Sequence, residues 1–236
     1  MSIVDSGINI LQLGRTVQGE GLYSGFPIIL LRTSMCNLRC SWCDTKYSWL
    51  IEGDNEHKPV LYHSKKLFRE VKKLAKSDIK LLMITGGEPM LWSVNNEWIQ
   101  FLRKLKKAGF TLHMETNGTI KVNSVMGRLI DFFDISPKVT LYPKLYSRDV
   151  VDSYKTTFHA WKFVVGDYTD FANILKFVRE KYIDKNEFIV IMPEGESAEK
   201  LNEHEQIAKE LIKNLKDAGY EQVIYSSRLQ IFGGFL

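Results

Sequence analysis

At 236 residues, 44% of them hydrophobic, the chain has ample apolar material for one sizeable α/β core, so residues 1–236 are expected to form a single domain. A domain of this size buries roughly three quarters of the surface its unfolded chain exposes, so no disulfide or metal staple is needed and any metal site is expected to be functional. The formal charge of +4, from 32 basic and 28 acidic residues, is too mild to require a nucleic-acid partner, and lysines such as Lys65, Lys66, Lys72 and Lys73 read as solvated helical faces.

The amino terminus, MSIVDSGINILQLGRT, lacks the charged region and apolar run of a secretory signal. An apolar strand is predicted over Ile28–Thr33, followed by the cluster MCNLRCSWCDT. Residues Tyr47–Pro59 read as a loop, and Ser64–Lys76 as an amphipathic helix. Strand Lys80–Thr85 leads into Gly86-Gly87-Glu88-Pro89, then helix Asn96–Ala108, with Gly109 placed as its cap. Strand Thr111–Thr116 runs into Asn117-Gly118-Thr119, and strand Phe132–Ser136 into Pro137-Lys138. A second loop is expected over Val139–Asp152. The remainder alternates strand Trp161–Val165, helix Asp170–Lys181, strand Phe188–Met192, helix Ala198–Ala218 capped by Gly219, and strand Gln222–Ser226.

Strands alternating with helices argue for a parallel sheet built of βαβ units. Near-continuous apolar strands such as IILL fit a sheet covered on both faces. Chemically suggestive turns follow four of these strands, and parallel α/β folds gather active sites at that edge. No run approaches the roughly 18 apolar residues that cross a bilayer.

The three cysteines, Cys36, Cys40 and Cys43, are spaced C-x3-C-x2-C. An odd, tightly clustered set is wrong for a secreted disulfide framework, so the chain is expected to be cytoplasmic. Thiolates select zinc, copper(I) or iron–sulfur clusters. A closed zinc site or saturated four-iron cluster takes four protein ligands, and no histidine shows paired metal spacing with these three thiols. The plainer alternative is buried thiols on one helix face, but Asn37, Arg39, Ser41 and Asp44 make the segment too polar for a core helix.

C-x3-C-x2-C with an aromatic residue before the last cysteine resembles the signature of the radical S-adenosylmethionine (SAM) superfamily. Thr85–Pro89 is similar to that superfamily's GGE motif. Thr16-Val17-Gln18-Gly19-Glu20-Gly21, Cys43-Asp44-Thr45, Glu115-Thr116-Asn117-Gly118-Thr119 and Ser136-Pro137-Lys138 together resemble one family within it, the 7-carboxy-7-deazaguanine synthases. The matching pieces run from about residue 10 to about residue 140.

The resemblance implies a modified, incomplete (β/α) TIM-like barrel of about six parallel strands, a radical SAM core. It implies a 4Fe-4S cluster on Cys36, Cys40 and Cys43, with SAM on the unique iron. Trp42 would lie against the adenine, and Gly86, Gly87 and Glu88 would bind the SAM amino group. Asn117, Ser136 and Lys138 would line the SAM side. The implied activity is that of a carbon–nitrogen lyase of 7-deazapurine (queuosine-type) biosynthesis. It converts 6-carboxy-5,6,7,8-tetrahydropterin to 7-carboxy-7-deazaguanine and ammonia, through hydrogen abstraction by a 5′-deoxyadenosyl radical. Arg32 suits the substrate carboxylate, and Gln18, Glu20 and Glu115 suit the pterin's amide and amino edges. A magnesium ion would bind the substrate carboxylate, with Thr45 supplying one oxygen. Family members are commonly homodimeric and take electrons from an external donor.

Two stretches depart from the family pattern. Met192-Pro193-Glu194 stands where Gln-Pro is frequent. Ser227-Arg228-Leu229-Gln230-Ile231-Phe232-Gly233-Gly234 lacks the family's substrate-contacting histidine, and Gln230 is the candidate for its place. The rival readings are a glycyl-radical activase, which needs a protein-docking surface instead of a pterin pocket, and a non-catalytic iron–sulfur or zinc module, which needs a fourth protein ligand.

Overall fold

In the computed structural model, residues 7–49, 58–76, 78–180 and 183–233 are described. Most of the expected Tyr47–Pro59 loop, together with Lys181 and Gly234, lies outside them. Packing divides the chain into two compact units, one of residues 1–16, 27–116 and 122–133, the other of residues 17–26, 117–121 and 134–236.

The first unit opens with strand β1, Ile8–Val17, most of which belongs to it, followed by β2, Pro27–Thr33. β1 was not expected: Asn9, Gln12 and Arg15 interrupt its apolar run, and most of its residues are only half-buried. Short β3, Val60–Tyr62, pairs antiparallel with β1. Helix α1, Ser64–Ala75, turns Leu67, Val71 and Ala75 inward at helical spacing. Strand β4, Leu81–Gly86, is parallel to β2, with Leu30 opposite Met83 and Thr33 opposite Gly86. Helix α2, Asn96–Lys107, buries Trp98, Phe101, Leu102 and Leu105. Its N-cap, Asn95, accepts from the Trp98 N–H at 2.8 Å, a bond that contributes about 1 kcal/mol. Strand β5, Thr111–Thr116, is parallel to β4. Helix α3, Met126–Leu129, leads into β6, Phe132–Ile135, which straddles the boundary between units. Ile28 to Leu31 of β2 are all buried, as an internal parallel strand requires.

In the second unit, helix α4, Arg148–Tyr154, occupies part of the stretch read as a loop, capped by Ser147, whose hydroxyl accepts from the Val150 N–H at 3.4 Å. Strand β7, His159–Val165, helix α5, Tyr168–Glu180, strand β8, Phe188–Pro193, helix α6, Ala198–Asp217, and strand β9, Val223–Tyr225, follow in the expected alternation. β7, β8 and β9 are parallel neighbours. Short α7, Leu229–Gly233, follows. The α/β, predominantly parallel class read from the sequence is the class observed. Among the described residues, no helix is long and apolar enough to cross a membrane.

Candidate active site

In the first unit the cysteines lie on the irregular segment between β2 and a 3-10 turn at Lys46–Ser48. All three are free thiols; Cys40 is buried and the other two are half-buried. Two residues besides the cysteines, Arg39 within the motif and Trp49 beyond it, organise the segment. The Arg39 guanidinium donates to the carbonyls of Cys36 and Leu38, each at 2.7 Å, and lies over the Trp49 ring at 4.9 Å. The Trp49 indole N–H reaches Cys43 Sγ at 3.5 Å. Thr45 Oγ1 lies 3.6 Å from the same sulfur, and Trp42 is half-buried beside it in sequence.

The GGE turn is seated directly on this segment. Gly87 N–H donates to Thr33 O at 3.1 Å, and Glu88 N–H to Met35 O at 2.7 Å. A Cβ on Gly87 would collide with the Met35 carbonyl, so only glycine permits the approach. Met35 itself is held at φ 75°, a conformation strained for its side chain. Glu88 is fully buried; its Oε1 accepts from the Met90 N–H at 2.9 Å and the Thr116 hydroxyl at 2.7 Å. Burial pushes the Cys36 thiol up, the Leu38 N–H opposes that, and the charges of Glu88 and Cys43 add to it. The other predicted residues of this unit sit at strand ends. Arg32, half-buried, donates from Nε to Gln12 Oε1 at 3.1 Å, and Glu115 Oε2 accepts the Thr85 hydroxyl at 2.8 Å.

In the second unit, the Gln18–Gly21 loop carries a half-buried charge group. The Glu20 carboxylate meets Lys162 Nζ at 2.9 Å through Oε2, and Arg228 Nε at 3.0 Å and Gln230 Nε2 at 2.7 Å through Oε1. Burial alone would raise the Glu20 pKa, but the charges of Lys162 and Arg228 and the bonds from Lys162 and Gln230 outweigh it and hold the carboxyl far below its usual range. Gly21, at φ 71°, donates its N–H to Ser226 Oγ at 2.9 Å, and a Cβ there would fall 2.6 Å from Asp134 Oδ2. The buried Gln18 side chain folds back, its Oε1 accepting from the Gly19 N–H at 3.1 Å.

The Asn-Gly-Thr and Ser-Pro-Lys segments are joined by a tyrosine from the stretch read as loop. The Tyr146 hydroxyl donates to Asn117 O at 3.1 Å and accepts from the Lys138 N–H at 2.7 Å. Asn117 Oδ1 accepts from both the N–H and hydroxyl of Thr119, at 3.0 and 2.7 Å. Lys138 Nζ donates to the Ser136 carbonyl and hydroxyl at 2.9 and 2.7 Å. Sequence reasoning passed over Tyr146, Lys162 and Asp134. Lys162 and Asp134 had a signal, a charge inside an apolar strand in HAWKFVV and FFDI, because unpaired charges are almost never buried.

The sequence matches the radical SAM superfamily over residues 30–208, from β2 into α6. It is 30% identical over 199 residues to the 7-carboxy-7-deazaguanine synthase of Pyrobaculum aerophilum, covering 83% of each chain. It is 31% identical over 171 residues to the enzyme of that name from Thermoplasma acidophilum, covering 72% of this chain and 75% of that one. The chain is a radical SAM protein of the 7-carboxy-7-deazaguanine synthase family. QueE from Escherichia coli shares its fold, with a TM-score of 0.69 and 22% identity over 93% of both chains.

Radical SAM membership implies SAM and a 4Fe-4S cluster, and the first unit's donor set fits them. Three free thiols on one segment match the three protein ligands of a cluster with an open iron. Among the described residues, no three His, Cys, Asp or Glu side chains converge as ligands of a single ion.

Proposed function

We propose that this radical SAM protein converts 6-carboxy-5,6,7,8-tetrahydropterin to 7-carboxy-7-deazaguanine and ammonia. The observation that carries the substrate assignment is Glu20, a half-buried carboxylate kept ionised by Lys162 and Arg228. An ionised carboxylate only accepts hydrogen bonds, which is what the amide and amino edge of a pterin requires.

When bound, the reduced cluster supplies the electron that cleaves SAM and starts radical chemistry on the substrate. In the first unit, Cys36, Cys40 and Cys43 would hold that cluster, and Trp42 would lie against the adenine. The backbone of Gly86 and Gly87 and the carboxylate of Glu88 would bind the SAM amino group. Arg32 is assigned to the substrate carboxylate, Glu115 to a pterin N–H, and Thr45 to a magnesium ion that also takes substrate oxygens. In the second unit, Gln18 and Glu20 are assigned to the pterin, and Asn117, Ser136 and Lys138 to SAM. The departure at the carboxyl end fits this reading, because Gln230 donates to Glu20 at 2.7 Å and stands with the pterin group. An external electron donor, a homodimer and a cytoplasmic location complete the proposal; the free thiols favour a reducing compartment.

The test is anaerobic reconstitution with iron and sulfide, then incubation with the tetrahydropterin, SAM, magnesium and a reductant. The expected result is 7-carboxy-7-deazaguanine by mass spectrometry, lost in Cys40→Ala. Formation of 5′-deoxyadenosine without the deazaguanine would remove the substrate assignment and keep the radical chemistry.

A further inference from the structure

The Gln18–Gly21 loop rests on side chains to which the reaction assigns no part. Lys162 lies within β7, between Trp161 and Phe163, and is 4% exposed. Its ammonium is 2.9 Å from Glu20 Oε2 and 4.0 Å from Asp134 Oδ2, and the Asp134 side chain is 1% exposed. A buried lysine keeps its charge only when paired. Here the Lys162 ammonium pairs with Glu20 and lies beside Asp134, while Arg228 meets Glu20 from the other oxygen.

We infer that Lys162 is a positioning residue for the pterin: it fixes Glu20 in one orientation as an acceptor, leaving one lone-pair position on Oε2 for a substrate N–H. This rests on the reading that Glu20 receives the pterin. The count of donors supports it. A carboxylate oxygen has two lone-pair positions. Oε1 already accepts from Arg228 and Gln230, whereas Oε2 accepts from Lys162 alone among the described residues. The Gln230 carboxamide must turn its NH2 toward a carboxylate, so that donor is fixed by chemistry. The arrangement therefore admits the substrate donor at Oε2, beside Lys162.

Charge follows the same logic. The groups facing Glu20 are Lys162 from β7, Arg228 and Gln230 at the start of α7, and Asp134 from β6 through the shared lysine. Without Lys162, Glu20 loses one of the two cations that meet its carboxylate, so it takes a proton more readily. A protonated Glu20 offers a donor where the pterin needs an acceptor.

The experiment uses the reconstituted holoenzyme with SAM and no reductant, and measures tetrahydropterin affinity by anaerobic calorimetry between about pH 5 and about pH 8. Wild-type affinity is expected to show no Glu20 titration across that window; a loss of affinity toward acid that Glu20→Gln abolishes overturns the inference without need of any Lys162 variant. Lys162→Met is expected to weaken the pterin roughly tenfold or more, increasingly so toward acid, since each pKa unit is a factor of ten. Reductive SAM cleavage without pterin is expected to be unchanged. In a Glu20→Gln background the same substitution is expected to add less than about threefold, because the two act as one unit. Equal losses in both backgrounds, or wild-type affinity in Lys162→Met, would also overturn it. A wild-type enzyme that forms no deazaguanine from the pterin defeats the substrate reading itself, which separates the two failures.

Discussion

The Thr116 hydroxyl donates to Glu88 Oε1 at 2.7 Å, linking the end of β5 to the GGE turn that follows β4. The same oxygen accepts from the Met90 N–H, and the Glu88 backbone N–H holds Met35, so one buried acid ties two strand ends to the cysteine segment. Its orientation depends on its donors. Thr116→Val keeps the shape and removes one of them. The expected outcome is a loss of about 1–2 kcal/mol in stability by denaturant titration and several-fold weaker SAM binding, with iron content unchanged.

Gly87→Ala sets a methyl group against the Met35 carbonyl. Neither partner is a flexible side-chain end, so the cysteine segment must move. A destabilisation of about 2–3 kcal/mol is expected, together with reduced iron and sulfide per chain after reconstitution. Wild-type cluster content in this variant would show that the turn does not support the segment.

Tyr146→Phe takes one hydroxyl away from both Asn117 O and Lys138 N. Leaving buried backbone groups short of a partner costs about 1–3 kcal/mol. If those segments serve SAM, its KM rises several-fold while the pterin KM stays within about twofold, a split that steady-state kinetics reads directly.

Glu187 provides a pH prediction away from the site. Its carboxylate accepts the Trp161 indole N–H at 2.7 Å and lies 3.5 Å from His159 Nε2. Burial raises its pKa, but the neighbouring His159 imidazole and the bond from Trp161 outweigh that and leave it lowered. A lowered carboxyl stabilises the fold fully above its unfolded pKa of about 4.3, and that stability is lost as pH falls through the lower folded value. Glu187→Gln is therefore expected to lower the Tm at neutral pH and to show a shallower decline on acidification below about pH 4.5 than the wild type.

The long helices and buried strands were legible because their periodicity is local. Leu67, Val71 and Ala75 on α1, and the Ile28–Leu31 run of β2, declare themselves within a dozen residues. β1 did not, because its polar insertions obscure the strand pattern. α4 is short and charged, and only the Ser147 cap ahead of Arg148 and Asp149 hinted at it. The same division holds at the candidate site. The cysteine spacing and the GGE turn are contiguous words in the chain. Lys162 and Arg228, its cationic partners, lie 142 and 208 residues from Glu20, and although Lys162 stands out within its strand, no local pattern pairs either with that acid.

That separation orders events during synthesis. Glu20 leaves the ribosome 142 residues before Lys162 and 208 before Arg228, so its carboxylate must remain hydrated until nearly the whole chain has emerged. The three thiols, by contrast, emerge together early in translation. If Glu20 receives the pterin, nascent chains arrested short of Lys162 are expected to lack pterin affinity whatever metal their cysteines have taken up, and substrate recognition is then acquired late and all at once in the life of the polypeptide.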